Sequence, residues 1–135
     1  MMGSESKSFD LHNNYDVVMA RQHARELARD LGFGLTDQTR IATAVSEVAR
    51  NALEQQGTMS FTVVKEGARR GIECVCLGCE WRETVPGNPQ AVAVGGLRGI
   101  ERLVDDFEVR LADEGSSTVV MRKWLTEGPA EKSAP

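Results

Sequence analysis

Residues 36–55, TDQTRIATAVSEVARNALEQ, read as one amphipathic helix, and the rest of the chain is arranged around it. Ile41, Ala44, Val45, Val48, Ala49, Ala52 and Leu53 recur at helical spacing and form a core-facing stripe. Thr36 and Asp37 are expected to cap its start, because a short side-chain oxygen accepts a hydrogen bond from a first-turn N–H. Glu47 and Asn51 stand near the edge of the stripe. Residues four apart share a helix face, so the two could reach one ligand or one metal ion. On spacing alone they are equally the polar shoulder of an ordinary core helix.

Working outward, 135 residues fit one domain with a sizeable core. A hydrophobic fraction of 41% and a charged fraction of 27% are those of a soluble globular chain. The net charge of −4 and the pI of about 5.2 argue against nonspecific nucleic-acid binding, which needs a cationic surface. No run of about eighteen apolar residues is present, so no membrane helix is expected. The opening MMGSESKSFD lacks the basic-then-apolar pattern of a signal peptide, and a cytoplasmic location is the default expectation.

The three cysteines, Cys74, Cys76 and Cys79, fall within six residues. Cys74 and Cys76 alternate and share a face on a strand, and Cys76 and Cys79 have C-x-x-C spacing. A closed zinc site needs a fourth ligand, and nothing places His12 or His23 nearby. Buried strand cysteines acting as small apolar side chains are the simpler reading. A redox or metal sensor is the sharper alternative.

Residues 1–6 read as a flexible lead-in, 7–125 as a single domain and 126–135 as a disordered tail. Residues 7–13 alternate like a strand. Residues 15–31 form a helix with Val17, Ala20, Ala24, Leu27 and Leu31 inward, started by Asn14 or Asp16 and stopped by Gly32 and Gly34. Strands are expected at 58–65 and 72–77 around a turn at 66–71, then a loop over 78–94. A helix at 95–106 and strands at 107–111 and 118–124 complete the chain. The order β-α-α-β-β-α-β-β is α+β, with helices on one face of a mixed or mostly antiparallel sheet.

The stretches LGFGLTDQTRIATAVSEVARNAL and GGLRGIERLVDDF resemble the anti-sigma-factor and switch-protein serine kinases of the RsbW/RsbT type, nearest the RsbT branch. That family belongs to the GHKL ATPase superfamily, so the resemblance implies a Bergerat-type two-layer sandwich. Residues 37–51 match its N box, with Glu47 at the catalytic-base position and Asn51 at the magnesium position. The match is much sharper than a lone E-x-x-x-N. An asparagine oxygen ligates Mg2+ without adding charge, and a carboxylate one turn away can orient or deprotonate an attacking hydroxyl. Arg50, beside Asn51, is expected to face solvent.

The remaining nucleotide motifs depart from the family. Its D-x-G-x-G acid accepts a hydrogen bond from the adenine amino group. Here the equivalent stretch is CLGCEW, in which one alignment puts Gly78 at the acid and a shifted one puts Cys76 there. Glu80 is the nearest carboxylate and lies beyond the expected position, followed by the bulk of Trp81. Of the family's G-x-G-x-G, only Gly95, Gly96 and Gly99 persist.

The resemblance therefore implies ATP and Mg2+ as cofactors, with Asn51, Gly78, Glu80, Gly95, Gly96 and Gly99 as the binding positions and a weakened or lost nucleotide site. The expected role is that of a switch-type serine/threonine kinase-like domain in bacterial partner switching. Its expected partner is a STAS-domain protein or stressosome-type component, with a phosphatase activated by binding as a further possibility and homodimerisation another. A fully active Mg2+-ATP-dependent kinase is the alternative. Arg21, Arg25 and Arg29, four apart on the first helix, form a basic face that is either solvated or a partner contact.

Overall fold

The computed structural model describes residues 6–79, 97–111 and 117–125. Residues 1–5 of the expected lead-in, the expected tail, the 78–94 loop beyond Cys79, and Glu80, Gly95 and Gly96 lie outside them, while Ser6, expected in the lead-in, and Gly78 and Cys79, expected in the loop, are strand residues.

Helix α1, Asn14–Leu31, begins at an N-cap one residue earlier than the sequence suggests. Asn13 accepts from the Asp16 N–H, and the Asp16 carboxylate accepts from the Asn13 N–H, a reciprocal capping box that satisfies two otherwise orphaned donors. Gly32 ends the helix with φ 105°, a conformation open to glycine at little cost.

Helix α2, Leu35–Leu53, starts before the expected Thr36/Asp37 cap. Gly34 holds the N-cap position and contributes no side-chain hydrogen bond. Gln38 ties the entry instead, donating from Nε2 to the Phe33 carbonyl at 2.9 Å. Asp37 sits in the first turn, where its charge suits the helix dipole. The predicted stripe is buried except for half-buried Leu53, with Ala42 and Ser46 added to it.

The five strands are β1 Ser6–Asp10, β2 Thr58–Glu66, β3 Arg69–Cys79, β4 Asp106–Leu111 and β5 Ser117–Trp124, in the order β1-β2-β3-β5-β4. All four pairings are antiparallel. Met59 and Phe61 of β2, Ile72, Cys74 and Cys76 of β3, and Val119 and Met121 of β5 point to the helices and close the core. Both long helices thus lie on one face of an antiparallel sheet, an α+β sandwich of two layers.

The β2–β3 hairpin is longer than expected. Lys65 pairs with Arg70 and Glu66 with Arg69, leaving Gly67 and Ala68 as the turn in place of 66–71. Gly67 takes φ 62° there. Gly71 lies inside β3, and a Cβ on it would stand 2.5 Å from the Lys123 carbonyl and 2.9 Å from the Trp124 ring. That missing side chain lets Trp124 lie across the sheet, with the Arg69 guanidinium 4.1 Å from its ring centroid and its Nε1 donating to Asp106 at 2.9 Å.

The helix expected over 95–106 is much shorter. Helix α3 is described over Leu97–Ile100, followed by tight turns in which Arg102 N donates to Gly99 O and Leu103 N to Ile100 O. Ile100 is 1% exposed and anchors this piece to the core.

Candidate functional site

Glu47 and Asn51 project from adjacent turns in the C-terminal half of α2, both half-buried at the margin of the core stripe. The Glu47 carboxylate accepts from Arg50 Nη1 at 2.9 Å. Arg50 is exposed toward solvent, as expected beside Asn51.

Glu47 and Arg50 form one wall of an open groove between α1 and α2, with a volume of about 570 Å3. Arg21, Arg25 and Arg29 stand on the α1 side, so the basic ladder read from sequence faces the candidate base across this groove. Arg29 pairs with Asp30 at 3.3 Å. Arg21 and Arg25 make no ion pair among the described residues. Tyr15, Val18 and Met19, spaced three and four apart on the same helix, leave apolar surface exposed next to the ladder.

The other end of the candidate site is built from glycines. After α2, Gly57 N donates to Ala52 O at 3.1 Å, and Gly57 O accepts from Leu11 N at 2.9 Å. A Cβ on Gly57 would collide with the Leu77 carbonyl. Gly78 sits against it with φ 83°, and a Cβ there would lie 3.0 Å from Gly57 Cα. The pairing of β3 with β5 skips Gly78, running from Leu77↔Thr118 to Cys79↔Ser117. This bulge turns Cys79 inward, so all three cysteines face the core and are free thiols. In the sequence Gly57 marks no more than the end of the helical pattern. Its structural duty is visible only once β3 is placed beside it.

Burial pushes the Cys74 thiol up, with the neighbouring Cys79 adding to it. The Cys76 thiol is pushed up by its hydrogen bond with Cys79 and then by burial. Protonated, enclosed thiols are poor nucleophiles and poor metal ligands. Among the described residues no group of three His, Cys, Asp or Glu side chains is placed to hold a metal ion.

The structure therefore brings Asn51, Gly57 and Gly78 to one end of the molecule, with Glu47 one turn back along α2. Gly99 lies on α3, which packs against α2, and open space surrounds the place its Cβ would take.

An antiparallel five-stranded sheet with two long helices on one face is an α+β sandwich of the GHKL type. No family model matches the chain. The serine/threonine-protein kinase RsbT of Bacillus subtilis is 33% identical over 126 residues, covering 82% of this chain and 90% of that kinase. The chain belongs to the RsbT-type family of serine/threonine protein kinases. A solved Mycobacterium tuberculosis structure of RsbU and RsbW domains matches with a TM-score of 0.59 and 18% identity over 90% of this chain. That likeness concerns the fold, and this chain spans 32% of that longer one. Among the described residues no helix is long and apolar enough to cross a membrane.

Proposed function

We propose that this domain is a kinase-like partner switch that binds a STAS-domain protein through the α1–α2 groove and handles nucleotide weakly or not at all. The observation that carries the reading is the groove itself. On a chain of net charge −4, three arginines of α1 face Glu47 and Arg50 of α2. A basic groove on an acidic domain selects an acidic partner segment by charge complementarity and rejects non-cognate anionic surfaces less well matched in shape.

The family implies Mg2+ and ATP, and the residues fit them unevenly. Asn51 would hold the metal through its amide oxygen, and Glu47 is the carboxylate that would orient a partner serine or threonine hydroxyl. When bound, Mg2+-ATP supplies the phosphoryl group and offsets its charge. The base end does not fit: Gly78 has no side chain and Cys76 is enclosed in the core. No transfer step is therefore assigned. Pairing with a phosphatase, formation of a homodimer and a cytoplasmic setting follow from the same family reading and belong to this proposal.

Calorimetric titration with STAS-domain proteins of the same genome tests the reading. One of them should bind, and charge reversal of Arg21, Arg25 and Arg29 together should weaken it at least tenfold. Undiminished affinity in the triple variant would remove the groove from the mechanism.

A further inference from the structure

We infer that the Gly57–Gly78 contact closes the place from which a side-chain carboxylate would read a purine amino group, so that the described end of β3 offers no adenine-selective acceptor. The inference rests on the weakened nucleotide binding proposed above and gives it a structural cause.

The end of β3 offers two positions for such an acceptor, and each is blocked differently. Cys76 is fully buried among the core residues, so its side chain belongs to the core. Gly78 is half-exposed, but its backbone is left-handed at φ 83° and its absent Cβ aims at Gly57 Cα, 3.0 Å away. Gly57 cannot yield. Its own Cβ position is occupied by the Leu77 carbonyl and lies 3.1 Å from Ala52 Cβ, and its N–H and C=O are both bonded. The last turn of α2, the entry to β2 and the bulge of β3 thus meet backbone to backbone. An acid at position 78 would start from a conformation disfavoured for residues with a side chain and would run onto the α2–β2 connection.

This end of the sheet does carry Asp10, opposite Thr58 on β1, but its carboxylate accepts from the Thr58 hydroxyl at 3.3 Å. Selectivity for a base comes from polar groups that would be left unpaired with the wrong one. Glu73, farther back on β3, is held by Arg122 at 2.9 Å, and with no carboxylate at the described end of the strand to pair, adenine and guanine nucleotides have equal standing here.

The test uses the full chain, Mg2+-ATP and Mg2+-GTP, with calorimetry and thermal shift as readouts. The wild type should show no shift with either, or affinities for the two within about twofold. Gly78→Asp should melt lower than wild type and gain no preference for ATP. Wild-type binding of ATP at least tenfold tighter than GTP would overturn the inference, and loss of that preference in Glu80→Ala would name the acceptor responsible. A folded Gly78→Asp chain that gains a tenfold ATP preference would also overturn it, while leaving weak wild-type binding and the partner reading intact. If Gly78→Asp does not fold, the wild-type ATP-to-GTP ratio decides.

Discussion

Arg50 reaches back along α2 to Glu47, Nη1 to Oε2 at 2.9 Å, and holds the carboxylate at the groove wall. Both side chains are about half exposed, 54% and 41%, so the pair is screened by water. Glu47→Gln should therefore leave stability within about 0.5 kcal/mol of wild type in denaturant titration. It should also spare partner affinity while removing any phosphate transfer that is detected. Loss of partner binding in this variant would make Glu47 a docking residue.

Asn13→Ala should lower stability by about 1 kcal/mol, because it leaves the Asp16 N–H without its 3.2 Å acceptor at the start of α1. Asn13→Ser, which keeps an acceptor oxygen, should recover most of that loss. Equal melting of both variants and wild type would mean that the cap carries no weight.

The three thiols should resist a water-soluble thiol reagent in the native protein and react together after unfolding. Cys76 and Cys79 are 0% exposed, and Cys74 is 3% exposed. Rapid native labelling of any of them would show an opening of the β3 end and revive the sensor reading.

His23 packs between Phe9 and Phe61, with ring centroids 5.5 and 5.4 Å away. Burial lowers its pKa from 6.5, Lys7 lowers it further, and Glu26 partly opposes them. The unfolded chain then binds the proton more readily than the folded one just below pH 6.5. This group's contribution to stability should be complete above that pH and should decline as pH falls toward the lowered folded value. His23→Gln should flatten that part of a melting-temperature profile, and an unchanged slope would assign the pH dependence elsewhere.

The helices and the inward residues of the strands were legible because their periodicities are strong: the α2 stripe from Ile41 to Ala52 is buried as read. Boundaries were less so. Gly34 displaced Thr36 from the cap because backbone geometry, which composition does not reveal, decides that position. The hairpin tip reads as a turn over 66–71 because Glu66, Arg69 and Arg70 are charged and interspersed with Gly67 and Gly71, yet strands that outrun the core pair through charged side chains. Arg69 ion-pairs with Glu66 while stacking on Trp124, a contact made across 55 positions of sequence that no local window can see. For the candidate site, Glu47 and Asn51 were legible as a motif. The Gly57–Gly78 contact was not, since it depends on a one-residue slip between β3 and β5.

Among the described residues the strand order leaves β1 and β4 as the two borders of the sheet. Each is guarded by charge: β1 carries Lys7 and Asp10, and β4 carries Asp106, Glu108 and Arg110 in alternation. Another chain that tried to lengthen the sheet would have to strip water from these side chains as it zipped up. Self-association by strand addition is thereby discouraged at both ends. A freshly made chain can thus expose these borders in a crowded cell without zipping into its neighbours strand by strand.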